Sequence, residues 1–245
     1  MKQSAKVAVS VDHARVRLAS IARIAPEGLQ MLDEAAMRAR VVAPHRDIVY
    51  EGERIQQPLL MLSGWACRTR TLMDGRRQVL SLVLPGDLLG YSAHHQQTAL
   101  ASVTAITGSV VCPAPTFAAG DDCLGLVAAY AASNVLDESY LLAQITRLGR
   151  MNALERISDW MLEIHERLCL ADIISGNSFQ LPVTQELMAD ALGLTSVHVN
   201  RTLQAMRREG LLDLRGGTAT LLDPSRMRAM VGAVSSTRRA LPVER

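Results

Sequence analysis

At 245 residues the chain is long enough for one large or two medium domains, with a core that needs neither disulfides nor metal. Hydrophobic residues make up 49% and charged residues 20%, an ordinary globular balance. The net charge of +2 does not argue for nucleic acid, so any basic patch must be local. Aromatic residues make up only 3%, so aliphatic side chains, alanine and methionine must fill the core. Cys67, Cys112, Cys123 and Cys169 lie far apart, with no CxxC pair and no zinc-type spacing, and read as reduced thiols. No stretch of about 18 apolar residues occurs, so no membrane span is expected. The start of the chain carries Lys2 and Lys6 but no apolar core. No signal peptide is expected, and the chain reads as cytoplasmic.

In chain order, residues 1–40 read as a helical lead-in. Ile21, Ile24, Leu29, Leu32 and Met37 are loosely spaced as on a helix, interrupted at Pro26 and Gly28. Residues 41–120 read as short strands between turns. The turn signals are Glu51-Gly52-Glu53, Ser63-Gly64, Asp74-Gly75 and Pro85-Gly86-Asp87. Asp74-Gly75 predicts a two-residue type I′ hairpin, with positive φ at both positions. Strands are expected at residues 59–62, 65–72 and 78–84, with a pair or one long strand at 102–112. This spacing suggests an antiparallel sandwich or barrel. A long helix is expected over about 121–149, ended or bent by Gly149. Its apolar stripe, Leu124, Val127, Ala131, Leu141, Ile145 and Leu148, needs a partner surface. That surface is either the chain's own sheet domain or the same helix of a second subunit. A second helix, roughly 151–170, places Leu154, Ile157, Met161, Ile164 and Leu168 on one face. The C-terminal unit spans 150–225. A tail over 226–245, with Arg226, Arg228, Arg238 and Arg239, is expected to be partly disordered.

The informative segment is LPVTQELMADALGLTSVHVNRTLQAMRREGLL, residues 181–212. Thr184 can cap a short helix by accepting from a free first-turn amide. Gly193 breaks that helix where a left-handed conformation is cheapest. Thr195 caps a second helix that ends near Gly210. Two helices joined by a tight glycine turn form the helix-turn-helix pattern. Val199, Leu203 and Met206 fall on one side of the second helix, which must pack inward. Val197, Arg201, Gln204 and Arg208 fall on the other, with Asn200 beside them and Ser196 at the start. Arginine can bond guanine O6 and N7 together, asparagine or glutamine can bond adenine, and Val197 can touch a thymine methyl. Arg215-Gly216-Gly217, between alternating residues, reads as a hairpin, so the unit is a winged helix. Arg215 is placed to touch a phosphate.

The segment from Ala191 to Leu212 resembles the helix-turn-helix of the Crp/Fnr superfamily of bacterial regulators, and residues 62–90 are similar to that family's sensor domain. The resemblance covers about residues 40–222. It implies an α+β chain: an N-terminal cyclic-nucleotide-binding-like β-roll, a long dimerisation helix and a C-terminal winged helix-turn-helix. It further implies a homodimer on a palindromic operator, switched by an effector. The effector pocket is expected around Gly86, Asp87, Leu88, Leu89 and Gly90. Members that bind cyclic AMP carry a glutamate after the glycine of the phosphate cassette and an Arg-Ser or Arg-Thr pair that binds the cyclic phosphate, near residues 98–102 of this chain. Here Gly86-Asp87 stands at the first place, and Thr98 to Ser102 hold no arginine. The expected effector is therefore not cyclic AMP. Iron–sulfur members use an N-terminal cysteine cluster, and no cysteine precedes Cys67. His94, His95 and Cys67 are the residues a haem could use, but no cofactor or metal is expected. Many members carry glutamate four residues before the recognition arginine. This chain has Val197, which shifts the expected half-site away from the family's.

The expected function is a sequence-specific DNA-binding transcription regulator; the alternative is a ligand-independent regulator controlled by its abundance. The partners implied are double-stranded DNA, a second copy of the chain, an unidentified small-molecule effector and RNA polymerase, without a membrane. No polymerase-contacting surface is recognisable in the sequence. G-x-S-x-G, P-loop, H-E-x-x-H and Ser-Lys signatures are absent, so no enzyme is expected.

Overall fold

The computed structural model describes residues 11–91, 97–117 and 125–232. The expectations placed on His94, His95, Cys123, Leu124, Arg238 and Arg239 fall outside the described residues.

The lead-in consists of α1 (Asp12–Ala19) and α2 (Pro26–Ala36). Pro26 stands at the first position of α2, where its missing N–H costs nothing. It therefore starts a helix rather than interrupting one. Ten strands follow: β1 (Arg40–Val42), β2 (Asp47–Val49), β3 (Arg54–Ile55), β4 (Leu59–Ser63), β5 (Ala66–Thr71), β6 (Arg77–Val83), β7 (Leu88–Leu89), β8 (Gln97–Thr98), β9 (Ser102–Ala105) and β10 (Ser109–Pro113). They pair antiparallel as β1-β10-β4-β7 and β2-β9-β5-β6, with a separate β3-β8 ribbon. Met61, Val83, Leu89, Val103 and Val111 form the core of this roll. The Asp74-Gly75 turn differs from its expected form. Gly75 has φ 85° while Asp74 stays in the ordinary region, and the Gly75 amide donates to the Leu72 carbonyl. That is a type I turn closed by a left-handed glycine, the longer of the common hairpin connections.

Helix α3 (Leu126–Arg150) runs through Gly149 and breaks at Met151, whose backbone is extended. At 25 residues it is about 38 Å long. One face, with Leu126, Tyr130, Leu136 and Tyr140, is buried against the chain's own domains. The other face is apolar yet exposed. It carries Ala131, Val135, Leu142 and Ile145 at alternating spacings of three and four, with Glu138 at the remaining place and Val127 and Leu141 on its flanks. Leu148 leaves this stripe. It is half-buried and lies against Gly193 of the helix-turn-helix, so the sequence assignment of Leu148 to the stripe is corrected. Val135 and Leu142, which the sequence assignment omitted, take its place.

The C-terminal unit contains α4 (Ala153–Leu170), β11 (Ser178–Gln180), α5 (Gln185–Leu192), α6 (Ser196–Arg208), β12 (Leu212–Arg215), β13 (Thr218–Leu221) and α7 (Pro224–Val231). Asn152 and Glu155 form a reciprocal capping box at the start of α4. Strand β11 pairs with β13, so the wing is part of a three-stranded sheet rather than an isolated hairpin. Arg226 and Arg228 lie in α7, which is capped by Asp223, and Arg226 pairs with Glu209 at 3.1 Å. The tail expected from residue 226 thus begins as a helix of the domain.

The two domains share a core, in which Val79, Leu82 and Leu84 of the roll pack with Trp160, Leu181 and Met188. Polar links cross the same seam. Arg77 pairs with Asp190 at 2.7 Å, and the Gln78 amide donates to the Asp190 carbonyl at 2.8 Å. Gln144 of α3 donates to the Ala191 carbonyl at 2.6 Å. Arg147, also on α3, holds Asp159 at 2.7 Å and Glu163 at 2.8 Å on α4. Deepest of all, Asp87 is ion-paired with Arg167 of α4, their side chains each only 2% exposed. Arg167 also donates to the Leu82 carbonyl and lies over the Tyr140 ring at 4.6 Å.

Candidate nucleic-acid interface and sensor cavity

The two caps form as the chemistry requires. Thr184 Oγ1 accepts from the Leu187 amide at 3.1 Å, and Thr195 Oγ1 accepts from the His198 amide at 3.2 Å. Each oxygen is used as an acceptor, and each hydroxyl hydrogen is left able to donate to a phosphate. Between the helices Gly193 adopts φ 61°, which an L side chain takes only at a cost. The turn sets α6 across α5, with Val199 and Met206 fully buried and Leu203 partly so.

The outward face of α6 carries Ser196, Val197, Arg201, Gln204 and Arg208, all exposed; Val197 is 69% accessible. The Arg201 and Arg208 guanidinium groups make no hydrogen bond or ion pair to any described residue. Asn200 also braces the helix pair. It is half-buried: its Nδ2 donates to Gln185 Oε1 at 3.1 Å, and its Oδ1 accepts from Gln204 Nε2 at 2.7 Å, which leaves one N–H and one lone pair for a further contact. The row Gln185–Asn200–Gln204 therefore fixes the Gln204 amide and ties α6 to the start of α5. Gln185 was not singled out from sequence, because its link to position 200 spans two helices. In the wing, Gly216 and Gly217 have φ 57° and 77°, the two positive values a type I′ turn needs. Arg215 is 73% exposed and pairs with Asp213 at 2.9 Å, where Arg207 also docks at 2.6 Å. Surface pairs of this kind are weak and leave Arg215 free to exchange partners.

The roll contains a cavity of about 670 Å³, lined by Leu89, Gly90 and Tyr91 together with Arg68, residues 98–101 and Leu141 of α3. Only two of the five expected pocket residues reach it. Gly86 instead packs on Arg17 of α1, Leu88 is core, and Asp87 is spent on Arg167. The glycine on the cavity wall is Gly90, followed by Tyr91. Among its described lining residues there is no carboxylate. Residues 98–101 bring no arginine to the wall.

Cys67, Cys112 and Cys169 are unpaired. Burial pushes the Cys67 thiol up to about 11, against a smaller opposing effect of Arg77, and burial likewise pushes Cys112 up to about 11. Both stay protonated at neutral pH. Under native conditions iodoacetamide should modify exposed Cys169 well before either, as read by mass spectrometry; equal labelling of Cys67 or Cys112 would contradict this burial. Both groups favour the folded state below the ordinary thiol value of 9.0, and that contribution is lost as pH rises through about 11. Among the described residues there is no group of three His, Cys, Asp or Glu side chains able to hold a metal, and no helix long and apolar enough to cross a membrane.

A β-roll with a cavity, joined through a long helix to a winged helix-turn-helix, is the architecture of a two-domain DNA-binding regulator. Residues 39–116 match the cyclic nucleotide-binding domain and residues 155–230 the Crp-like helix-turn-helix domain. The chain is 31% identical over 175 residues to the transcriptional activator protein FnrL of Cereibacter sphaeroides, covering 69% of this chain and 70% of that one. It is 32% identical over 166 residues to the nitrogen fixation regulation protein FixK of Bradyrhizobium diazoefficiens, covering 67% and 69%. The solved structure of FixK2 from Bradyrhizobium japonicum superposes with a TM-score of 0.70 at 24% identity, over 80% of this chain and 98% of that one. The chain belongs to the Crp/Fnr superfamily of bacterial transcription regulators.

Proposed function

We propose that this DNA-binding regulator works as a homodimer. Its exposed α3 stripe is the dimer seam, and its two α6 helices enter successive major grooves of a two-fold symmetric operator. Arg201 reads a guanine, Gln204 reads a neighbouring base from a fixed orientation, and Val197 offers an apolar contact. Thr184, Thr195, Ser196, Arg208 and Arg215 hold the phosphates. The cavity of the roll takes an effector other than cyclic AMP. The observation that carries the DNA-reading assignment is the unpaired Arg201 guanidinium on a capped, outward helix face. Arg156, by contrast, is spent on the protein's own backbone, donating to the Leu148 and Leu192 carbonyls. On an operator recovered by selection, Arg201→Ala should cost about 1–3 kcal/mol and relax preference at one base pair per half-site. Weakening that is uniform across sequences would instead make Arg201 a phosphate contact.

A further inference from the structure

The cavity is walled mostly by aliphatic side chains, among them Val49, Leu80, Leu89, Val103 and Leu141. Its inner cation is Arg68. Nη1 of Arg68 donates to Ser81 Oγ at 3.1 Å, and Nη2 donates to the Leu88 carbonyl at 3.1 Å and to Asp137 Oδ2 at 2.8 Å. The second arginine, Arg70, is turned to the Leu100 carbonyl at 3.0 Å and to Glu51 at 3.3 Å. Arg68 is thus a partly enclosed guanidinium, 19% exposed, in an apolar chamber, and its one carboxylate partner comes from a different domain element, α3. Asp137 and Leu141 stand one turn apart on that helix, and both meet the sensor side.

We infer that the effector is a monocarboxylate with an apolar body, its carboxylate seated on Arg68 in place of Asp137 and its body against Leu80, Leu89, Val103 and Leu141. The inference rests on the reading of this cavity as the effector site. Exchange of one carboxylate for another keeps the guanidinium paired, and the displaced Asp137, 21% exposed where it stands, turns to solvent or takes up a proton, the form that its burial already favours. A cyclic phosphodiester carries the same charge. It would also bring a polar sugar and base, for which the described lining holds few polar side chains beyond Arg68, chiefly Arg70, Tyr91 and Thr98. Release of Asp137 loosens α3 from the roll. The same helix carries the exposed stripe and holds the helix-turn-helix through Gln144 and Arg147. Ligand binding at Arg68 therefore shifts a helix that bears on both the second copy and the DNA-reading unit.

The test is calorimetric titration of the full chain with decanoate and naphthaleneacetate, each against its primary amide, together with cyclic AMP. The acids should bind, and the amides should bind about tenfold to a hundredfold more weakly, the scale of a charge-assisted hydrogen bond. Asp137→Asn should tighten the acids by removing their competitor. Arg68→Met should abolish the preference for acid over amide. The double variant Arg68→Met with Asp137→Leu leaves no buried charge behind, and should unfold cooperatively while showing no acid preference. The inference is overturned if amides bind as well as acids, if Arg68→Met keeps the preference, or if neither acid binds at millimolar concentration. Binding of cyclic AMP but of neither acid would overturn this chemistry and keep the cavity as the effector site. No DNA enters these measurements, so their failure leaves the DNA-binding reading standing.

Discussion

Replacing Arg167 with methionine should lower the unfolding free energy by about 3–5 kcal/mol, measured by denaturant titration. The reason is what the substitution leaves behind. Asp87 is 1% exposed, and its remaining donor is the Leu84 amide at 2.8 Å. A buried carboxylate without its cation costs far more than the pair gains when intact. Arg167 also holds the Leu82 carbonyl and Glu163, both of which lose a partner. The double variant Asp87→Asn with Arg167→Met should recover part of the loss, with a coupling of about 0.5–3 kcal/mol in the double-mutant cycle. Strict additivity would mean that the two groups do not depend on each other. The pair also joins the roll to the DNA-reading unit. Arg167→Met should therefore broaden or split a single unfolding transition in calorimetry, because the coupling then rests on the shared core and the remaining links from Arg77, Gln78, Gln144 and Arg147.

The second large effect concerns the α3 stripe. Leu142→Asp combined with Ile145→Asp should convert the dimer to monomer, raising the dissociation constant about a hundredfold or more. Ile145 is 67% exposed in the single chain, and Leu142 is 57% exposed. Neither substitution disturbs a packed core, so the folded monomer should keep its melting temperature within a few degrees. In a symmetric interface each substitution occurs twice, and each side chain loses about 1.5–3 kcal/mol of burial, before like charges are brought together. Sedimentation equilibrium distinguishes the outcomes. A chain that is monomeric before substitution, or dimeric after it, would remove α3 as the seam. Operator affinity should fall with dimerisation, since a single recognition helix covers one half-site.

The helix-turn-helix was legible because its signals are local. Thr184, Gly193 and Thr195 each act within three or four residues of themselves, and the faces of α6 follow from helical period alone. The wing glycines were legible for the same reason. The roll was legible as a class but not in detail. Strands such as β3, β7 and β8 have two residues each, too short for any alternation to register. Asp87 shows the limit most clearly. In sequence it sits in a turn and invites a binding role, yet its partner lies 80 positions away on another domain. Tertiary pairing turned a candidate ligand contact into a structural brace. Asn200 repeats the lesson on a smaller scale, since only the approach of Gln185 reveals that its amide also ties α6 to α5. Leu148 was misplaced because a stripe read from period alone cannot say where a helix passes from one neighbour to another.

If α6 reads sequence from a two-fold symmetric dimer, selection of bound sites from a random duplex pool by the full chain, at physiological salt, should return a palindromic consensus. Its half-site centres should lie about 34 Å apart, one helical turn, with a guanine in each half that loses its preference in the Arg201→Ala protein. Binding that enriches no sequence and falls only with salt would contradict this reading.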